Sequence, residues 1–315
     1  MNYIGLINEF GKPKAKIDFI TLALPSSIKS PIDALHFEKN IESRGNSINV
    51  STKWRGPQDE WITIHDPSLQ TLQFLLDEYC NIRILSLEIA LDFKLNDGSN
   101  DPVRLRELHS WLKTSLFPQR HELMQTGRRK FYEKSSNKIK RDTLETSSSD
   151  KTIYWTDSWG REQVRLYIKT IDNKKPIERH SVRLEVTLSP SGCHRAKLYW
   201  IGNLPRFLKG MRRYLSPFLN VAKGIKPSMK RTRSKDPAKA LKATCSATKE
   251  KARVERWWKQ CGSAWATKHN YKVIADADTN RLIGGGLKNL QDRLRQLKLT
   301  RKVADDPDYE VWKPA

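Results

Sequence analysis

The chain has 315 residues, of which 58 are Lys or Arg and 35 are Asp or Glu, giving a formal charge of +23 and a pI near 9.9. A cationic excess of this size points to a polyanionic partner, nucleic acid before a membrane surface. No apolar run approaches the roughly 20 residues of a membrane span. The amino terminus lacks an apolar segment of the secretory type, so the expected location is the cytoplasm.

Cys80, Cys193, Cys245 and Cys261 form no CxxC pair, which argues against a disulfide framework or a zinc ribbon. The seven histidines show neither HExxH nor a His-apolar-His pair, so carboxylates are the expected ligands of any metal. No glycine-rich phosphate loop is present. Gly284 to Gly286 reads as a flexible turn.

In chain order, Ile17 to Leu24 reads as a strand opened by Asp18 and ended by Pro25. A short helix is expected around Ile32 to Ser43. Ile48 to Trp54 and Glu60 to Ile64 read as strands. Asp66-Pro67-Ser68 is a helix start, and Leu69, Leu72, Leu75 and Leu76 give the helix Ser68 to Tyr79 its core face. Leu85 to Phe93 alternates, with Leu85, Leu87, Ile89, Leu91 and Phe93 on one face and Ser86, Glu88, Ala90 and Asp92 on the other. Glu88 and Asp92 are then about 13 Å apart along the strand, too far to share one ion without a third group or a bend. An amphipathic helix from Val103 to Leu116 follows.

Gln119 to Arg141 is basic and includes Arg128, Arg129 and Lys130, and Thr143 to Asp150 reads as a loop. Lys151 to Trp155 and Val164 to Lys169 read as a hairpin. In the second strand Val164, Leu166 and Ile168 alternate with Arg165, Tyr167 and Lys169. After a polar loop, Val182 to Leu188 puts Arg183, Glu185 and Thr187 on its polar face. From Leu198 to Leu219 the pattern is helical, interrupted by Pro205 and Pro217.

Beyond Ala222 there are 23 Lys or Arg against 10 Asp or Glu. Lys223 to Lys242, with Lys230, Arg231 and Arg233, reads as a basic linker. Helices are expected at about Thr248 to His269 and Leu287 to Arg301. In the first, Trp257, Trp258 and Trp265 pack a small core or stack on DNA bases. The domain reading is 1–221 as a catalytic domain and 222–315 as a basic helical region for DNA binding or interaction.

Each of the three central strands has one apolar face, so one sheet over a helical layer is expected: an α+β fold, mostly antiparallel, with helices on one face. Its open face then carries Glu88 and Asp92, Arg165, Tyr167 and Lys169, and Arg183 and Glu185. Carboxylates suit a divalent Mg²⁺ or Mn²⁺. Cations beside Tyr167 favour its phenolate and attract phosphate. Together they describe metal-assisted attack of Tyr167 on a phosphodiester, with Arg165, Lys169 and Arg183 stabilising charge and Glu88, Asp92 and Glu185 holding the metal.

The same motifs resemble the Rep trans, or replication initiation factor, family of rolling-circle initiators from plasmids, filamentous phages and integrative elements. The family's R-L-D-L-A-x-D-F strand is matched by Leu85 to Phe93 and its T-x-Y-[FW]-G by Thr152 to Trp155. Its R-x-Y-x-K strand is matched by Val164 to Lys169 and its R-[VL]-E-[IV]-x-L by Arg183 to Leu188. Asp18 to Thr21 resembles its early D-x-x-T. Glu88 stands where Asp is usual, Ser86 where Arg is, and Thr156 where Gly is.

The resemblance implies a nicking and joining enzyme linked to the DNA 5′ end through Tyr167. Its implied partners are an origin duplex or hairpin, the single strand after nicking, a host helicase and polymerase, and a second copy of the chain. The implied setting is the bacterial cytoplasm, on a mobile element. Arg128, Arg129, Lys130, Lys230, Arg231, Arg233, Trp257 and Trp258 would contact DNA. Alternatives are a relaxase for conjugative transfer, a non-catalytic DNA-binding regulator on the same fold, or a basic RNA-binding protein.

Overall fold

The computed structural model describes residues 7–23, 31–44, 48–51, 61–116, 132–135, 138–141, 152–156, 161–172, 175–226 and 272–298. Seven strands form one sheet: β1 (Lys14–Ala23), β2 (Ile48–Ser51), β3 (Trp61–His65), β4 (Ile84–Phe93), β7 (Ile153–Thr156), β8 (Glu162–Asp172) and β9 (Lys175–Leu188). Their order is β2-β3-β1-β4-β9-β8-β7. The β1–β3, β2–β3 and β7–β8 pairs are antiparallel. Two short antiparallel pairs form sheets of their own, β5 (Tyr132–Ser135) with β6 (Lys138–Arg141), and β10 (Ala222–Lys226) with β11 (Lys272–Ala275). The helices are α1 (Pro31–Glu42), α2 (Leu69–Glu78), α3 (Pro102–Ser115), α4 (Pro190–Arg195), α5 (Leu204–Leu219) and α6 (Ala277–Arg293). The α+β class read from the alternation holds, and the three strands that carry the motifs are neighbours.

The contacts resolve into two compact units, the first comprising Met1–Ala15, Ala90–Val186 and Arg213–Leu287. In it Asp101 caps α3, its Oδ1 accepting from the backbone N–H of Val103 at 2.8 Å, and Pro102 occupies the first turn, where its missing donor costs nothing. Leu105, Leu108, Trp111 and Leu112 are the buried face of that helix. β9 begins at Lys175, where the sequence suggested a polar loop. Side-chain-to-backbone bonds anchor this polar stretch. Asn100 receives the His180 N–H at 2.7 Å and donates to the Glu178 carbonyl at 2.7 Å. Arg179 donates to the Leu95 carbonyl at 2.8 Å.

The glycine run corrects a second expectation. Gly284 to Gly286 lie inside α6, not in a turn. A Cβ on Gly286 would sit 2.5 Å from the Pro13 carbonyl oxygen, so here glycine permits close backbone approach. Asp276 caps this helix through the Thr279 N–H at 3.1 Å, and Asn280 makes two bonds with the Val221 backbone, at 2.8 and 2.9 Å. The helix ends at Arg293 rather than Arg301.

The second unit comprises Lys16–Ile89, Thr187–Arg212 and Lys288–Ala315. Ser68 caps α2, accepting from Thr71 N–H at 3.0 Å, and Thr71, Leu72, Leu75 and Leu76 are buried. The β1–β3 ladder places Thr21 opposite Thr63, with their hydroxyls 3.0 Å apart. α5 is one continuous helix despite its two prolines. Pro205 lies in its first turn and Pro217 in its last, where little of the backbone ladder is lost. No described helix is long and apolar enough to cross a membrane.

A candidate active site on three neighbouring strands

The polar faces of β4 and β9 are not open to solvent. Glu88 is 1% exposed, Arg183 2% and Glu185 0%, and Ser181, Asp92 and Lys169 are also buried. Alternation alone reads a polar face as a wet face. These groups tolerate burial because they neutralise and hydrogen-bond one another.

Tyr167 and Glu185 face each other across β8 and β9, and the phenol donates to Glu185 Oε1 at 2.7 Å. Arg165, two residues before Tyr167 and so on the same face, reaches Glu185 Oε2 at 2.5 Å. Its guanidinium also lies 5.9 Å from the Tyr167 ring centre, within cation–π range. Arg183 grips Asp92 with two prongs, Nε to Oδ1 at 2.6 Å and a terminal nitrogen to Oδ2 at 2.7 Å. Ser181 adds a bond to Asp92 Oδ1 at 3.0 Å. The other terminal nitrogen of Arg183 lies 3.6 Å from Glu185 Oε1. A polar chain therefore runs Ser181, Asp92, Arg183, Glu185, Tyr167.

Burial pushes the Tyr167 phenol well above its ordinary pKa, and the Glu185 charge adds to the rise. Arg183 and Arg165 pull the other way and are outweighed. The expectation that neighbouring cations favour the phenolate is therefore reversed, first because the phenol is buried and then because its hydrogen-bond partner is a carboxylate, not a cation.

Glu88 lies on the same polar face of β4 as Asp92 and accepts a hydrogen bond from the Thr187 hydroxyl. Asp18 on β1 pairs with Lys16 at 2.9 Å, and Lys16 also pairs with Asp66. Burial works to lower the Lys16 pKa, but the two carboxylates outweigh it and the net shift is upward. One carboxylate oxygen from each of Asp18, Glu88 and Glu185 falls within 4.8 Å of the others. Three carboxylate oxygens at this spacing fit a hard divalent cation such as Mg²⁺ or Mn²⁺.

The acidic residues singled out in the sequence thus divide. Glu88 and Glu185 join the three-carboxylate group, while Asp92 is bound to Arg183. Asp18 takes the third place. Its strand was legible, but nothing in the spacing tied it to Glu88. Ser181 and Thr187 gave no signal beyond their alternation with Arg183 and Glu185. Arg128, Arg129, Lys130, Lys230, Arg231, Arg233, Trp257 and Trp258 lie outside the described residues.

No protein-family model and no curated protein sequence matches the chain. Among solved structures, the chain matches one titled as a rolling circle replication initiator protein from Geobacillus stearothermophilus. The match has 15% sequence identity and a TM-score of 0.38, and covers 70% of this chain and 90% of that one.

Proposed function

We propose that the chain is a metal-dependent DNA nicking and joining enzyme of the rolling-circle initiation type, with Tyr167 as nucleophile. The observation that carries the reading is the Tyr167 phenol donating at 2.7 Å to Glu185, a carboxylate that also belongs to the Asp18, Glu88 and Glu185 group. A nucleophile, a proton acceptor and a hard-cation ligand set thereby meet at one point, on a chain of charge +23.

In this reading Tyr167 Oη bonds to phosphorus as its proton passes to Glu185 Oε1. The bond from phosphorus to the 3′ oxygen breaks, and that oxygen takes the proton held by Glu185 and leaves as a free 3′-hydroxyl. The products are a 5′-phosphotyrosine and a primer end, with no net proton consumed. Arg165, 28% exposed, is the cation placed to meet the phosphate. Arg183, gripped by Asp92, holds Glu185 in place, and Lys169 adds positive charge to the same strand. Asp18, Glu88 and Glu185 would hold a divalent cation, which would supply polarisation of the scissile phosphate. The partners in this reading are origin DNA as duplex or hairpin, a helicase, a polymerase and a second copy of the chain. The host element is a bacterial plasmid, phage or integrative element.

A second reading, a non-catalytic DNA-binding regulator on the same fold, draws on the raised pKa of Tyr167, because a buried neutral phenol is a weak nucleophile. One experiment separates the two. Supercoiled DNA carrying the element's own origin is incubated with protein and Mn²⁺ or Mg²⁺, for wild type and Tyr167→Phe, and run on denaturing gels with and without protease. Nicked circles with protein on the 5′ end from wild type, and none from the variant, support the enzyme. Equal nicking by both removes Tyr167 as nucleophile. Origin binding without nicking by either protein favours the regulator.

A further inference from the structure

Helix α5 contains no acidic residue. Its buried face is Leu204, Phe207, Leu208, Met211, Leu215, Phe218 and Leu219. Arg206, Lys209, Gly210 and Arg213 are exposed on the other side. At about 100° per residue, Arg206, Lys209 and Arg213 fall within an arc of about 60° and rise about 10 Å along the axis. None of the three pairs with an acid among the described residues. Solvated helix faces normally mix the two signs, as the Arg281 pair with Asp278 does on α6.

Gly210 lies between Lys209 and Arg213 in the sequence, about 40° from Arg206 at the edge of the same exposed arc. A Cβ there would meet nothing within 4 Å, so no contact among the described residues requires a glycine. Glycine in a helix interior is nonetheless costly relative to any residue except proline. What it leaves is a side-chain-free step beside the three cations, on a helix fixed from below by its apolar face.

We propose that this face of α5 is a contact surface for the phosphate backbone of duplex DNA. Arg206, Lys209 and Arg213 bind successive phosphates, and Gly210 lets the strand lie close to the helix. The proposal rests on the reading of DNA as the substrate. A membrane surface fits less well, because a helix lying on lipid buries exposed apolar residues beside its cations. The exposed large apolar residues among those described, Val103 and Ile171, are not on α5.

The test uses the full chain and a short mixed-sequence duplex, read by fluorescence anisotropy across a salt series. Each phosphate contact contributes about 0.9 to the slope of log affinity against log salt. Arg206→Ala/Lys209→Ala/Arg213→Ala is expected to flatten the slope by about 2 to 3, and Arg281→Ala to leave it unchanged. Gly210→Gln is expected to weaken binding while the thermal midpoint holds or rises. A triple variant with the wild-type slope overturns the α5 surface and leaves the substrate reading standing. Wild type that binds duplex RNA more tightly than duplex DNA, or binds no duplex, overturns both.

Discussion

Asp92 and Arg183 are bound to each other by two short hydrogen bonds, 2.6 and 2.7 Å, in a place almost closed to water. The pair gives Asp92 a different task from the one its position beside Glu88 suggests. It fixes the guanidinium that lies 3.6 Å from Glu185. Removing one partner of such a buried pair costs about 3–5 kcal/mol. Asp92→Asn is therefore expected to lower stability by that order and to reduce nicking, while Mn²⁺ affinity by calorimetry changes little. The double variant Asp92→Leu/Arg183→Met should recover much of the stability without recovering the nicking. A loss of Mn²⁺ affinity of about tenfold or more in Asp92→Asn would return Asp92 to the ligand set.

The three-carboxylate group makes the opposite prediction. Asp18→Asn, Glu88→Gln and Glu185→Gln are each expected to weaken Mn²⁺ binding, seen directly by calorimetry or by the paramagnetic signal of free Mn²⁺. Losing a carboxylate also removes like-charge repulsion, so Glu88→Gln should leave the thermal midpoint unchanged or raise it in metal-free buffer. Unchanged Mn²⁺ affinity in all three variants would show that the group holds no metal.

Adjacent glycines in α6 are predicted to respond with opposite sign. At Gly285 a Cβ would stand 3.9 Å from the Lys12 side chain, an ordinary contact. Gly285→Ala is expected to stabilise by about 0.5–1 kcal/mol through helix propensity. At Gly286 the new atom would lie 2.5 Å from the Pro13 carbonyl oxygen, so Gly286→Ala is expected to lower the thermal midpoint. Equal shifts in the two variants would contradict the close approach.

The turn before α3 carries an acid-sensitive ion pair. Arg104 donates to Asp97 and holds its carboxyl at about 2, below its usual 3.8. A carboxyl depressed in the folded state adds stability above its unfolded pKa, near 3.9, and loses that contribution as pH falls towards about 2. The difference in thermal midpoint between wild type and Arg104→Met should therefore be full above about pH 4 and shrink below it. A difference constant from pH 5 to pH 2 would contradict the linkage.

Much of the candidate site was legible because it is written in period-two alternation. Arg165, Tyr167, Arg183 and Glu185 fall on the faces that alternation assigns, and β4, β9 and β8 are the neighbours that a shared sheet face requires. What alternation does not carry is whether a polar face is wet. Glu185 on a solvated strand and Glu185 beneath Arg165 and Tyr167 have the same sequence, yet only the second raises the phenol's pKa. Long-range partners were likewise hidden. Asp18 meets Glu88 only because β1 and β4 are neighbours, and Asp92 chooses Arg183 over a shared ion because the guanidinium fork matches a carboxylate better than a distant glutamate does. Gly286 misled because a glycine run signals a turn locally, whereas its cause lies with Pro13, far away in the chain.

The order in which the strands leave the ribosome differs from their order in the sheet. β4 pairs with β1 on one side and β9 on the other, and Asp92 and Arg183 are separated by 91 residues. At about 5–20 residues per second, some 5–18 s pass before that partner is made. Throughout that interval a strand that is almost wholly buried in the finished fold presents an unpaired edge, a template for the wrong strand. Mutations that weaken β9 should therefore be read first in yield and chaperone demand, before any effect on the chemistry becomes measurable.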